Sequence, residues 1–312
     1  MKNMGEGIQQ EMKRMNVTAK YEELIGDSIN DSEVKQFLSD HKDEIDSENL
    51  QRSAARIYEF VQEKRKIAAG KESFARGYLP KLIINNRTVD VTYVPDQKTQ
   101  QKVEQNQFKR NFELVDLPSY IRDAELTDYP TRNASGRAQA FTAASKFLTA
   151  YKSNNGFAPG LFLAGNFGVG KTYLLGAIAN ELARDGVDVK LVHFPSFAGT
   201  MKGAISDNSV LTRLDKFKKT SVLMLDDIGA DSVSDWIRDE VLGVILQYRM
   251  EEQLPTFFSS NFSMQDLENH LSMSKKGEEP IKAQRIMERI KFLSREVIVS
   301  GENQRHQNQI EY

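Results

Sequence analysis

Apolar and polar positions divide the chain into stretches of different texture. Residues 1 to about 69 are polar, with apolar residues at helical spacing: Val34, Phe37 and Leu38, then Leu50, Ala54, Ile57, Tyr58 and Val61. That spacing predicts a small helical bundle. From Leu79 to Val94 the pattern becomes Lys81-Leu82-Ile83-Ile84, a turn at Asn85-Asn86-Arg87, and an alternating run from Thr88 to Val94, which predicts a β-hairpin. Between Asp96 and Arg110, Gln, Lys and Asn replace apolar residues, so the stretch is either a solvated linker or the polar start of a helix. It is taken as the inter-domain connection.

After Leu117-Pro118 and Tyr129-Pro130, a helix is expected from about Arg137 to Tyr151, and short apolar runs then alternate with helical segments. Strands are predicted at 161–164, 188–194, 221–226, 255–260 and about 295–300, with helices at 171–184, 196–205, 208–218, 233–252, 263–271 and 280–293. Such alternation is what a parallel sheet covered by helices on both faces requires. The expected fold class is therefore α/β, a parallel sheet between helices preceded by a smaller, mostly helical domain with a β-hairpin. The expected boundaries are 1–95, a linker at 96–130, and 131–312.

Composition narrows this picture mainly by exclusion. The 312 residues carry a formal charge of −2, no cysteine and four histidines, His41, His193, His270 and His306. Disulfides and thiolate metal sites are excluded, and the histidines lack zinc-ligand spacing. No zinc is expected. No apolar run approaches a membrane span and the first thirty residues are not signal-like, so a cytoplasmic protein without membrane association is expected. A near-neutral net charge confines any nucleic-acid contact to a local patch.

Candidate chemistry centres on Gly165-Asn166-Phe167-Gly168-Val169-Gly170-Lys171-Thr172, set between an apolar strand and a helical segment. The glycines allow successive backbone N–H groups to turn toward phosphate oxygens. Lys171 suits the β and γ phosphates, and the Thr172 hydroxyl suits Mg2+, which implies ATP and Mg2+ as ligands. Ser221-Val222-Leu223-Met224-Leu225-Asp226-Asp227 is a second apolar run ending in two carboxylates. Asp226 is expected to hold the metal-bound water shell, with Asp227 placed to polarise an attacking water. Thr256-Phe257-Phe258-Ser259-Ser260-Asn261 ends in a polar residue that either orients this water or caps the helix beginning near Ser263. Arg285 and Arg289, one turn apart on the last helix, are either a solvated face or a cation pair offered to a neighbouring subunit's γ-phosphate.

This order of motifs resembles the bacterial helicase-loader branch of the AAA+ ATPases, the DnaI/DnaC family. The stretches that carry the likeness are Gly165 to Thr172, Leu223 to Ala230, Leu254 to Phe262 and Gly301-Glu302-Asn303-Gln304-Arg305-His306. The resemblance implies that Lys171 and Thr172 are the Walker A pair, Asp226 and Asp227 the Walker B pair and Asn261 the sensor-1 residue. It also implies that Arg289, with Arg285, carries the arginine-finger motif and that Arg305 falls near sensor 2. The family's activity would be to bring a hexameric replicative helicase onto single-stranded DNA, with the amino-terminal domain gripping the helicase and the ATPase domain contacting DNA. ATP-bound subunits are then expected to associate side by side, Arg289 of one meeting the nucleotide of the next. The likeness also implies a cysteine-rich zinc site before the hairpin, which a chain without cysteine does not supply.

Lys202, Arg213, Lys216, Lys218 and Lys219, interleaved with Met201, Ile205, Leu211, Leu214 and Phe217, are candidates for DNA-backbone contact or else the wet side of an amphipathic helix. Phe197 and Phe217 are the aromatic residues available there for base stacking. Competing functions are a DNA-binding ATP switch resembling the IstB-type transposition ATPases, and a small-molecule kinase. The sensor strand and paired-arginine helix argue against the kinase.

Overall fold

The structure, a computed structural model, describes residues 26–132, 134–153, 156–230, 234–274 and 277–304. It divides into two compact units, Met1–Gln105 and Asn106–Tyr312.

In the first unit, helices α1 (Ser32–Asp40) and α2 (Ser47–Ala68) begin at aspartate caps. Asp31 accepts from the backbone N–H of Glu33 and Asp46 from that of Asn49, answering N–H groups that a helix start leaves unpaired. The hairpin follows as β1 (Tyr78–Asn85) and β2 (Thr88–Pro95), paired antiparallel from Tyr78↔Pro95 to Asn85↔Thr88. Asn86 and Arg87 turn it with φ of 49° and 65°, the double left-handed geometry of a tight hairpin turn. Val34, Ile57, Phe60, Val61, Leu82 and Val89 form the core, and the Ser53 hydroxyl accepts from Val89 N–H at 2.7 Å, tying β2 to α2. The part of the expected bundle at 1–25 lies outside the described residues.

The polar stretch after the hairpin is helix α3 (Gln97–Asn111), and the boundary between the units falls inside it. Residues 112–130, expected as linker, instead belong to the second unit. Phe112–Val115 is strand β3 at the edge of the main sheet, and Ile121 and Ala124 are buried. These apolar residues follow no period, because they are placed by contacts with distant elements rather than by a repeating face of their own.

The sheet of the second unit is parallel throughout, in the order β10-β4-β7-β6-β5-β3. Its strands are β4 (Gly160–Ala164), β5 (Val189–His193), β6 (Val222–Asp226), β7 (Thr256–Ser260) and β10 (Ser294–Ile298). The helices are α4 (Ser135–Lys152), α5 (Lys171–Arg184), α6 (Phe194–Gly203), α7 (Val210–Lys218), α8 (Gly243–Glu251), α9 (Met264–Ser272) and α10 (Pro280–Leu293). A two-stranded ribbon, β8 (Met273–Ser274) with β9 (Gly277–Glu278), joins α9 to α10. One apolar core lies on each face of the sheet, as both-face burial of β4, β6 and β7 demands.

The single helix expected over 233–252 is interrupted: Ile237–Leu242 is wound as a π turn before α8. Arg238, 2% exposed, anchors this turn by bonding Asp239, Glu279 and the carbonyl of Leu271. At the opposite edge of the sheet from the carboxyl ends, the fully buried Arg249 donates to the carbonyls of Thr220 and Pro255, each at 2.7 Å, and to Thr256 Oγ1 at 2.8 Å. It pins the starts of β6 and β7, although burial pushes its guanidinium down to about 9.

Candidate functional site

Strand order brings the motifs together. β7 lies between β4 and β6, so the loop after β4, the carboxylates after β6 and Asn261 after β7 all emerge at the same carboxyl edge, where open α/β sheets place their ligands. Gly168 and Gly170 have φ of 74° and 99°, a left-handed backbone that turns the loop sharply into α5. Phe167 at the loop tip is 64% exposed.

Lys171 is drawn back into the loop it belongs to. Its ammonium donates to the carbonyls of Gly165 and Asn166 at 2.7 and 2.9 Å and to Asn261 Oδ1 at 2.8 Å. Across β7, Thr172 Oγ1 donates to the Asp226 carboxylate, 2.9 Å from one oxygen and 3.1 Å from the other. Burial, with a smaller contribution from the neighbouring Asp227, raises the Asp226 carboxyl above the usual range, against hydrogen bonds from Ser259 and Thr172 that lower it. A buried carboxylate beside a hydroxyl is a hard oxygen donor pair, which fits Mg2+. The glycine loop fits polyphosphate.

Asp227 stands in left-handed backbone, φ 60°, uncommon for a residue other than glycine. Two contacts hold it there: its N–H donates to Ser259 Oγ at 2.9 Å, and its Oδ1 accepts from Asn261 Nδ2 at 3.1 Å. Asn261 does not cap the following helix. Ser263 does so, accepting from Asp266 N–H at 3.1 Å.

Ser259 escaped the sequence reading. Its hydroxyl donates to Asp226 Oδ1 at 2.5 Å while accepting from Asp227 N–H, so one side chain on β7 sets both carboxylates. The doubled serine of Ser259-Ser260 was the available signal. His193 ends β5 in register with Asp226, and its Nδ1 lies 2.8 Å from Ser196 Oγ.

The two arginines of α10 part company. Arg289 is half-buried, donates to the carbonyl of Gly243 at 2.8 Å and is held below its ordinary value by burial and by Arg285, whereas Arg285 is exposed. Arg305 lies outside the described residues.

The basic candidates between β5 and β6 are mostly engaged within the chain. Lys216 pairs with Glu113 at 3.3 Å, Arg213 with Asp207 at 3.7 Å, and Lys218 and Lys219 with Asp215 at 2.6 and 2.9 Å. The two lysines hold the Asp215 carboxyl down to about 2. Lys202 is exposed. Met201, Leu214 and Phe217 are buried as the helical pattern expects, but Ile205 and Leu211 are 53% and 77% exposed. Phe197 and Phe217 are not open for stacking: they pack edge-on against each other, centroids 4.6 Å apart, inside the core.

Parallel sheet, phosphate loop, paired carboxylates and a polar residue on the intervening strand define a P-loop ATPase fold of the AAA+ class. A family profile described as IstB-like ATP binding protein matches residues 92–311, and one described as Primosomal protein DnaI N-terminus matches residues 1–93. The chain is 37% identical to the replicative helicase loader DnaI of Bacillus subtilis, over 98% of this chain and 100% of that protein. Among solved structures, one described as DnaI is 43% identical with a TM-score of 0.56, covering 63% of this chain and 98% of that one. A proposed primosome component from Streptococcus pyogenes serotype M3 is 42% identical with a TM-score of 0.54, covering 64% and 98%. The chain belongs to the DnaI family.

The chain has no cysteine, so the cysteine ligands that the resemblance implies before the hairpin are not present in its sequence. Near the end of α2 the buried Glu63 instead gathers Lys66 Nζ at 2.6 Å and the N–H of Phe74 at 2.8 Å, drawing the loop before the hairpin onto the helix. No helix among the described residues is long and apolar enough to cross a membrane.

Proposed function

We propose that the chain is an ATP-dependent loader of the hexameric replicative DNA helicase onto single-stranded DNA, acting in the cytoplasm at initiation or restart of replication. The observation that carries this reading is the match to a helicase loader along essentially the whole chain, both units included, combined with a complete phosphate and carboxylate site in the second unit. The profile match of residues 1–93 supports helicase binding by the region assigned to 1–95 and speaks against an IstB-like transposition regulator.

In this reading the backbone N–H groups of Gly165 to Thr172 cradle the phosphates of ATP, and Lys171 exchanges carbonyl partners for phosphate oxygens. Thr172 and Asp226 hold Mg2+, which when bound neutralises charge on the phosphates. Asp227 accepts the proton of the attacking water and Asn261, fixed between Lys171 and Asp227, orients that water. Arg285 and Arg289 of a neighbouring subunit approach the same nucleotide, so that self-association and hydrolysis are coupled. Lys202, Arg213, Lys216, Lys218 and Lys219 track the DNA backbone. Exposed ion pairs contribute little to stability, so phosphates can displace Asp215 and Glu113 from these lysines. Binding of DNA is therefore weak and strongly salt-dependent.

The test is Lys171→Ala. This variant loses ATP binding and ATP-dependent helicase loading while keeping the helicase contact made by the first unit; loading that persists unchanged in Lys171→Ala contradicts the proposal.

A further inference from the structure

A groove of about 380 Å3 opens between α4 and the start of β10, at the end of the sheet away from the phosphate loop. Its floor is Phe147, Ala158 and Leu161, all buried. Leu161 is the second residue of β4 and the phosphate loop follows the last, Ala164, so roughly 10 Å of strand separates the two sites. Ala143, Phe147 and Ala150 recur at helical spacing along one face of α4, and the small side chains on either side of Phe147 leave space that larger residues would fill. Phe157 stacks on Phe292, centroids 5.3 Å apart, and holds one wall in place.

The charge on its rim is of one sign. Lys146 on α4 and Arg295 on β10 line the groove and are both exposed. Arg295 Nη1 donates to the carbonyls of Lys291 and Ser294 at 2.9 and 3.2 Å, at the end of α10, and neither cation meets a carboxylate among the described residues. Lys216, Lys218 and Lys219, by contrast, each have one. Glu296 does not neutralise Arg295. It alternates onto the other face of β10, where its carboxylate accepts from Met264 N–H at 2.7 Å.

β10 is also an end strand, paired with β4 and, among the described residues, with no strand on its other side. Arg295 and Val297 alternate onto the face that holds the groove. An extended chain laid along that open edge takes backbone hydrogen bonds from β10 and turns every second side chain toward the same face. An apolar floor between two unpaired cations is complementary to an apolar side chain between two carboxylates.

We propose that this groove docks an extended segment of a partner protein in which an acidic residue stands two positions before and two positions after a large apolar one. The apolar side chain fills the space over Phe147 and Leu161, and the carboxylates pair with Lys146 and Arg295. The contact is made at the opposite end of the sheet from the phosphate loop and does not depend on nucleotide.

Fluorescence anisotropy of the full chain with a labelled heptapeptide of serine and threonine, carrying glutamate at its second and sixth positions and phenylalanine at its fourth, tests this. Saturable binding is expected, weakened about 10-fold by Lys146→Glu, as loss of a charged hydrogen bond, with ATP affinity unchanged. Ala150→Leu, which fills the groove from an exposed helix position, is expected to weaken it to a similar extent without lowering the melting temperature. A peptide with lysine for both glutamates should ignore the wild type and bind the double variant Lys146→Glu, Arg295→Glu. Absence of saturable binding to the wild type overturns the proposal, as does unchanged affinity in both single variants. Equal binding of a peptide with serine in place of phenylalanine overturns it too, reducing the contact to charge alone. Self-association that Ala150→Leu abolishes, with no peptide bound by the wild type, assigns the groove to a second copy of this chain instead.

Discussion

Asn261 joins Lys171 to Asp227: its side-chain oxygen accepts from the lysine at 2.8 Å and its nitrogen donates to the carboxylate at 3.1 Å. The amide cannot be reversed without facing a donor with a donor and an acceptor with an acceptor. Its orientation is thereby set by charge on both sides.

Asn261→Ala removes the positioned amide and one partner of Lys171 but leaves the backbone N–H groups of Gly165 to Thr172 in place. ATP affinity is expected to stay within about 3-fold while hydrolysis falls about 100-fold, the scale of losing one preorganised donor. Equal losses in binding and turnover, measured by nucleotide titration and phosphate release, contradict this role.

Ser259→Ala leaves a buried oxygen of Asp226 and the N–H of Asp227 without their shared partner. The expected cost is about 2 kcal/mol in a urea unfolding curve. Mg2+ should also bind the ATP complex about 10-fold more weakly, the usual result of freeing a ligand from its supporting bond. Unaltered Mg2+ dependence would show that Ser259 only packs.

The arginines of α10 are separable. Arg289→Ala gives up the bond to Gly243 O and should lower stability by about 1 kcal/mol. Arg285→Ala, at an exposed position, should melt as wild type does. If the arginines act in trans as proposed, both variants should retain ATP binding and lack the stimulation of hydrolysis that wild type is expected to show with helicase and DNA; full stimulated hydrolysis in both variants removes the role in trans.

The π turn is clamped to α10 by charge. Hydrogen bonding from Arg238 holds the Asp239 carboxyl below its ordinary value, aided by Lys282, and the same two cations lower Glu279. A depressed carboxyl contributes stability that is complete above its unfolded value of 3.8 and disappears as pH falls through the lower folded value. Acid melting of wild type against Asp239→Asn should therefore show a gap above pH 3.8 that closes only below it. A gap of constant size down through that range contradicts the clamp.

Residues with a local signature are legible in the chain. The glycine loop, the apolar run into Asp226-Asp227 and the strand into Asn261 each announce themselves within a few residues, and parallel strands buried on both faces leave long apolar runs. Ser259 has no such signature, because its importance comes from a carboxylate on the neighbouring strand. Likewise β3 and the segment carrying Ile121 and Tyr129 looked like linker, since their apolar residues follow the shape of β5 and α5 rather than a period. Between β5 and β6, spacing shows the cations but not the carboxylates that lie against them: Asp207 against Arg213, Glu113 against Lys216, and Asp215 against Lys218 and Lys219.

The central claim, that this ATPase serves a helicase, is tested most directly by mixing the purified chain with its cognate hexameric replicative helicase, with and without ATP, and measuring the mass of what forms. The account predicts a complex containing both proteins. Free helicase and free chain under both conditions would contradict it.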